Sequence, residues 1–345
     1  MPNRVKARRL SWGWSQAELA ERAGISRTAV SAIEGNRLVP SVAAALGLAG
    51  ALECSVEELF STAAPRSRES GWAWPPMVYP CRFWEASVGG GTLRYPAEAT
   101  AMGVVPHDGV HDGALVRPTP GASAPEDTLV VACCDPAVGL LASQYARATG
   151  YRLIALPRSS RKAMDLLKQG LVHLAGLHLS HAGEGNLPVV REQMGTGYRL
   201  LRAARWQEGI SVSPHSGVKT IRSAVKGNRR WVGREAGSGA RQCMDELLGD
   251  RKAPTLEAHD HRGVADAVSC GWADVGVCLR LTSEEAGLRF LSVREEAYDL
   301  CYPDSLRDDP RLQALLGVLR SPGYRQMLGE LPGYDASTTG QVQEV

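Results

Sequence analysis

Two short segments, Ser159-Ser160 and Ser238-Gly239, each stand between an apolar strand-like run and the start of a helix pattern. Hydroxyls and open N–H groups at helix N-termini hold anions, and the helix dipole adds to the attraction. Arg234 and Arg241 flank the second segment, so two such loops face to face would clamp a small oxyanion or acid. Ordinary roles compete for the same residues. Arg234 and Arg241 can pair with Glu235, Asp245 or Asp274, Asp135 can be a helix N-cap, and Asp274 can brace its glycine turn. His261 reads as a hydrogen-bond partner at a helix start. Other catalytic chemistry is thin. His107-x-x-x-His111, His178-x-x-His181 and His259-x-His261 are close pairs, but no Cys or carboxylate cluster completes a tetrahedral set at familiar spacing. Neither a metal nor a cofactor is therefore expected. The eight cysteines form no C-x-x-C pair and read as reduced residues packed as small hydrophobes. G-x-S-x-G, a P-loop, a dinucleotide fingerprint and H-E-x-x-H are all missing from the sequence, so an enzyme is not expected.

A different chemistry is concentrated at the N-terminus. Residues 1–37 hold seven Lys/Arg against three Glu, a net +4, whereas the other 308 residues carry −2 of the chain's +2. A near-neutral total excludes a uniformly basic nucleic-acid coat protein, but a local basic patch suits a short docking surface. With 345 residues, 44% hydrophobic and 22% charged, the chain is long enough for about two cored domains. The longest apolar run, Val42 to Leu52, is about half of a membrane span and is broken by Gly47 and Gly50. No apolar segment of the signal-peptide kind follows the basic start, so a cytoplasmic protein is expected.

The elements that must position these residues can be read locally. Ser15 with Glu18 makes a capping box, Leu19, Ala20 and Ala23 share a helical face, and Gly24 ends the helix. Ile25 plugs the core, and Ser26 caps a second helix whose inward face is Ala29, Val30 and Ile33 before Gly35-Asn36 stops it. Two short helices joined by a glycine turn make a helix-turn-helix. Val42–Leu52 and Val56–Phe60 supply closing helices. Ser61 to Gly71 has linker composition. Beyond it, Arg82–Ala86 and Thr92–Tyr95 alternate like short strands around the Gly89–Gly91 turn. Trp72, Trp74 and Trp84 read as a local core or a dimer contact. From Thr128 strands alternate with helices, a pattern that makes parallel sheets with ligands outside the strand C-termini.

Residues 4–60 resemble the DNA-binding domain of the Cro and repressor (XRE-type) family. The resemblance is carried by Ser15-Gln16 with Glu18-Leu19-Ala20, Ala23-Gly24-Ile25-Ser26, Ile33-Glu34-Gly35-Asn36-Arg37 and Pro40-Ser41. It implies that the second helix enters the major groove of operator DNA, with Arg27, Thr28 and Ser31 toward base edges. Gln16, Asn36 and Arg37 match the family's phosphate-contacting positions. A homodimer on a palindromic operator follows from the same resemblance.

Residues 128–340 are similar to the periplasmic-binding-protein-like domain appended to bacterial regulators, of the molybdate-binding type. Cys134-Asp135-Pro136-Ala137, Gly170 to Leu179, Arg234 to Arg241, Ala273-Asp274-Val275-Gly276, Tyr298-Asp299-Leu300 and Leu331 to Asp335 carry that likeness. It implies two lobes joined by crossings near Trp206–Ile210 and Phe290–Glu296, with a molybdate- or tungstate-like oxyanion between them. Asp135, Ser159 and Ser160 would face it from one lobe, Arg234, Ser238, Gly239 and Arg241 from the other, and Tyr298 would close over it. Ala240 stands where the family has Thr, and Ser180-His181 where it has an acidic residue. The expected architecture is thus multidomain: an all-α helix-turn-helix domain over 1–61, a linker and small β-rich unit over 62–127, and a two-lobed α/β ligand-sensing domain over 128–340 whose second lobe spans about 209–290. The expected function is a ligand-responsive transcriptional regulator. A domain that binds another organic ligand or a protein partner is the alternative. No membrane association is expected.

Overall fold

The computed structural model describes residues 3, 5–52, 54, 56–60, 71–98, 104–179, 185–249 and 251–345. Residues 61–70 of the expected linker and the Ser180-His181 pair lie outside the described residues. The chain divides into two compact units, Met1–Glu69 and Ser70–Val345.

The first unit is helical: α1 (Val5–Ser11), α2 (Gln16–Ala23), α3 (Arg27–Glu34), α4 (Val42–Ala51) and α5 (Val56–Phe60). Ser15 Oγ accepts from Glu18 N at 3.2 Å, and Glu18 Oε2 accepts from Ser15 N at 2.6 Å, which completes the capping box at the start of α2. Gly24 ends α2 with φ 66°, a left-handed conformation that glycine adopts without a Cβ penalty. Ser26 Oγ then accepts from Ala29 N at 3.1 Å to start α3. Leu19, Ala20 and Ala23 of α2 pack with Val30 and Ile33 of α3 and with Leu48, Leu52 and Phe60 in one core.

The second unit opens with a five-stranded sheet of β1 (Gly71–Trp72), β2 (Cys81–Val88), β3 (Gly91–Pro96), β4 (Gly109–His111) and β5 (Val116–Pro118), in the order β1-β3-β2-β4-β5. The β2–β3 hairpin turns through Gly89 and Gly90, both at positive φ. This sheet is not an independent body, because its apolar face is buried on the domain that follows. Trp84 and Tyr95 share a core with Val130, Ile154 and Leu167. Tyr95 donates to Leu171 O at 2.7 Å, and Arg152 grips Asp108 through two nitrogens at 2.6 and 2.7 Å. Trp84 is thus core, whereas Trp72 is half-buried against Phe83 and His111.

Next come β6 (Thr128–Cys133), α6 (Val138–Thr149), β7 (Arg152–Pro157), α7 (Ser160–Lys168), β8 (Leu174–Leu177) and α8 (Leu187–Met194), then the long β9 (Tyr198–Val212). They are followed by α9 (Ile221–Lys226), β10 (Trp231–Arg234), α10 (Gly239–Leu248), β11 (Glu257–Ala258), α11 (His261–Ser269), β12 (Val275–Leu279) and α12 (Arg280–Glu285). A second long strand, β13 (Arg289–Pro303), leads to α13 (Pro310–Arg320), α14 (Pro322–Gly329) and the short β14 (Tyr334–Asp335) and β15 (Val342–Glu344). The main sheet runs β11-β10-β12-β9-β13-β8-β6-β7.

Its middle explains the two lobes. β9 and β13 are 15 residues each and pair antiparallel along their length, from Val212 opposite Arg289 to Tyr198 opposite Pro303. One end of this ribbon pairs with β8 and joins the parallel set β8-β6-β7; the other pairs with β12 and joins the parallel set β12-β10-β11. Each lobe has its own core: Leu129, Leu174, Leu201 and Leu315 in one, Val232, Val264, Val268 and Cys278 in the other. The central ribbon links them, so Trp206, Glu208, Arg294 and Glu296 sit where the lobes join. No helix among the described residues is long and apolar enough to cross a membrane.

Candidate functional site

In the helical unit, Arg27 and Thr28 at the start of α3 are exposed, and Ser31 one turn on is half-buried. Thr28 Oγ1 is 2.9 Å from Ser26 Oγ. Asn36 and Arg37 are exposed just past the helix, and Asn36 holds φ 58°, with its Oδ1 accepting from Asn3 Nδ2 at 2.8 Å. Gln16 is engaged by its own domain: its Nε2 donates to Glu34 Oε2 at 2.9 Å, while Arg9 binds Glu34 at 2.6 Å and Trp14 O at 2.6 Å. That network ties α1, α2 and α3 together and holds α3 in a fixed pose. Burial works against the Glu34 charge, yet Arg9 and Gln16 hold its carboxyl below the usual range.

In the second unit the two anion-type loops do meet. The α7 start and the 235–239 loop face each other across the cleft. Arg161 N donates to Gly237 O at 3.4 Å, Lys162 pairs with Glu235, and Gly239 packs directly on His178. Ser159 Oγ makes no cap bond to its own helix and lies beside the Glu235 carboxylate. Burial would raise the Glu235 carboxyl, but the Lys162 ammonium, with the Ser159 hydroxyl nearby, keeps it low. Ser160 Oγ accepts from His178 N at 3.1 Å.

Several expected contacts are spent elsewhere. Arg241 binds Asp245 at 2.9 Å, Glu257 at 3.2 Å and Arg234 O at 3.2 Å, so its guanidinium braces its own lobe. Ser238 Oγ accepts from Arg241 N at 3.2 Å as the α10 cap and donates to Glu235 O at 3.0 Å. Asp135 Oδ1 accepts from Tyr334 at 2.6 Å and from Ala137 N at 2.9 Å; burial pushes its carboxyl up to about 6. Tyr298, expected over the ligand, is instead buried flat on Trp206 with ring centroids 4.3 Å apart. Its hydroxyl lies against Gly176 and Cys133 and makes no hydrogen bond.

Arg234 behaves differently. It is 1% exposed at the end of β10, its Nη2 donates to His259 O at 3.2 Å, and its Nε and Nη1 have no hydrogen-bond partner. None of the acidic residues offered by the sequence takes it up. His261 has the same character. Asp260 is the true N-cap of α11, accepting from Gly263 N at 2.6 Å, which leaves both ring nitrogens of the buried His261 without a partner. Burial and the Arg234 charge push the His261 imidazole well below its usual range. Beside it stand His178, whose Nδ1 is 3.0 Å from Glu296 Oε2, and Cys134 at the end of β6. A cavity of about 220 Å³ opens onto Cys134, Asp135, Pro157, Asp260 and His261.

Below the histidines lies a buried ionic layer on the ribbon. Arg294 reaches Glu208 at 2.9 Å and Glu296 at 2.7 Å, and burial with the Glu296 charge raises the Glu208 carboxyl to about 7. Trp206 edges both His178 and His261. These residues are distant in sequence and carry no motif. The one available signal was the placement of Cys134 and His178 just after strand ends, where ligand residues collect in parallel sheets.

The described chain thus consists of a two-lobed α/β unit and a capped helix-turn-helix unit. By family, the chain belongs to the PBP superfamily domain proteins through residues 142–320 and carries a helix-turn-helix domain through residues 5–59. The uncharacterized protein YvgK of Bacillus subtilis (strain 168) is 28% identical over 197 residues, 54% of this chain and 63% of that protein, so the chain spans less than two thirds of that relative. The uncharacterized HTH-type transcriptional regulator YgzD of the same organism is 40% identical over 60 residues, 17% of this chain and 91% of that protein. Among solved structures, a tungstate ABC transporter from Geobacter sulfurreducens aligns at TM-score 0.46 and 12% identity, covering 59% of this chain and 99% of that one.

Proposed function

We propose that the chain is a cytoplasmic transcriptional regulator that binds operator DNA as a homodimer and takes a small oxyanion between its lobes. The observation that carries the ligand half is Arg234, a buried guanidinium with two nitrogens, Nε and Nη1, unpartnered beside the equally unpartnered His261. A buried charge left without a partner is costly, and a bound anion is the group that removes that cost. The starts of α7 and α10, at Ser159-Ser160 and Ser238-Gly239, bring two helix dipoles into the same region of the domain. The DNA half rests on Arg27, Thr28 and Ser31 along one side of α3, with Asn36 and Arg37 flanking them. Closure of the lobes would shift operator affinity only by the ligand's preference for the closed form. Titration calorimetry with molybdate, tungstate, phosphate and sulfate tests the reading, followed by operator binding with and without the best ligand. Failure of all four to bind, at millimolar concentration, overturns the oxyanion assignment.

A further inference from the structure

We propose that Cys134, His178 and His261 form a site for a zinc-class divalent metal ion that bridges the two lobes. One ligand atom from each of the three lies within 4.8 Å of the others. His178 and His261 are buried, and Cys134 is half-buried at the cavity wall.

The donor chemistry supports the assignment. A thiolate with two imidazoles is a mixed S/N set of the kind zinc prefers. His178 is already oriented as a ligand. Glu296 Oε2 engages its Nδ1 at 3.0 Å, which leaves Nε2 for a metal, the carboxylate–histidine arrangement that fixes tautomer and ring direction. Nε2 of His178 and both nitrogens of His261 make no hydrogen bond. In a tetrahedral zinc centre the ligand atoms stand about 3.5 Å apart, from Zn–S of about 2.3 Å and Zn–N of about 2.0 Å. With all separations inside 4.8 Å, the trio needs to draw in by no more than about 1.3 Å to reach that spacing. Binding exchanges protons for metal: the Cys134 thiol proton, and any proton on Nε2, leave as the ion enters. One thiolate reduces the ion's charge to a net +1, which tempers repulsion from Arg234.

A second cluster, His178 with Glu208 and Glu296, also comes within 4.8 Å. Its carboxylates are ion-paired with Arg294 at 2.9 and 2.7 Å, so a cation there would compete with that guanidinium, and Glu296 acts instead as the outer group that orients His178. The placement also gives the site a consequence. Cys134 follows β6 and His178 follows β8, both in one lobe, while His261 starts α11 in the other. An ion held by all three would latch the lobes closed.

The test uses the full chain, stripped with a chelator and titrated with Co(II) as a spectroscopic stand-in, with no oxyanion present. One equivalent should bind with a thiolate-to-cobalt charge-transfer band. Cys134→Ser should abolish that band, His261→Gln should weaken Co(II) binding on the order of 100-fold, and Glu296→Gln should weaken it by about 10–100-fold. Cys270→Ser, at an exposed thiol, should change nothing. Circular dichroism confirms that each variant is folded. Absence of a charge-transfer band, or a band that survives Cys134→Ser, overturns the site. Oxyanion binding, measured separately on the stripped protein, stands or falls independently: Cys134→Ser that still binds molybdate overturns nothing in the anion reading, and Arg234→Met that loses molybdate but keeps cobalt supports the two as separate sites.

Discussion

Replacing Arg234 with Met gives effects of opposite sign on the empty and the liganded protein. In the empty protein the guanidinium is 1% exposed and two of its nitrogens lack partners. Each unsatisfied buried polar group costs about 1–3 kcal/mol, while the one bond it makes, to His259 O, returns about 1.5–3 kcal/mol. Met has similar length and no such cost. At the middle of these ranges the variant should be about 2 kcal/mol more stable than the parent, a rise in Tm of roughly 4–8 °C at about 2–4 °C per kcal/mol. With oxyanion present the sign reverses. Two charge-assisted bonds of about 1.5–3 kcal/mol each are lost, which weakens binding by roughly 10²–10⁴-fold. Thermal scans across a molybdate or tungstate series read both effects at once, since stabilisation by ligand follows RT ln(1 + [L]/Kd). A variant that melts several degrees below the parent, yet is still stabilised by the anion, would show that Arg234 is a structural strut and refute the reasoning.

Four further outcomes follow from the same geometry. Arg27→Ala should cost about 1–3 kcal/mol of operator binding and relax specificity, whereas Arg37→Ala should lower the salt slope by about 1 without changing sequence preference; quantitative gel shifts at several salt concentrations distinguish the two. A Cβ on Gly239 would stand 2.1 Å from the His178 carbonyl oxygen, so Gly239→Ala should prop the lobes apart and weaken oxyanion binding by about tenfold or more, as calorimetry will show. Burial, then the Arg311 charge, lowers the His173 imidazole to about 4, and its ring is fixed neutral between Val130 N at 3.0 Å and Ser87 O at 2.8 Å. A base with a depressed folded value stabilises above its unfolded value near 6.5 and loses that contribution as pH falls toward 4, on the order of 3 kcal/mol, so His173→Gln should flatten the acid limb of urea-unfolding free energies. Val42 and Leu46, 78% and 60% exposed one turn apart on α4, make an apolar strip that a second copy would cover; Val42→Lys with Leu46→Lys should give a monomer by sedimentation and weaken binding to a palindromic operator.

The helix-turn-helix was legible because its signals are local. Ser15 with Glu18, Gly24, and Ser26 with Ala29 act over three residues or fewer, and the structure shows each bond where the spacing puts it. The hairpin at Gly89-Gly90 is of the same kind. Arg82–Ala86 and Thr92–Tyr95 were legible as strands, but the three shorter strands of that sheet and its attachment to the larger domain were not, because Tyr95 reaches Leu171 and Asp108 reaches Arg152 across long sequence intervals.

For the cleft, sequence determined which loops could face a ligand, since strand ends and helix starts are read from periodicity and caps. It did not determine which side chains remain unspent. Arg234 and Arg241 look equivalent as text. Only the fold sets Arg241 against Asp245 and Glu257 and leaves Arg234 buried with two nitrogens unmatched. The histidine pairs looked too incomplete in sequence for a metal site, because spacing along the chain reports only ligands that share one element. Cys134, His178 and His261 come from three different strand or helix ends, and they meet because β9 and β13 carry both lobes and bring those ends to one cleft. Side-chain partnership over such distances is a property of the sheet order, and the sheet order is a tertiary fact.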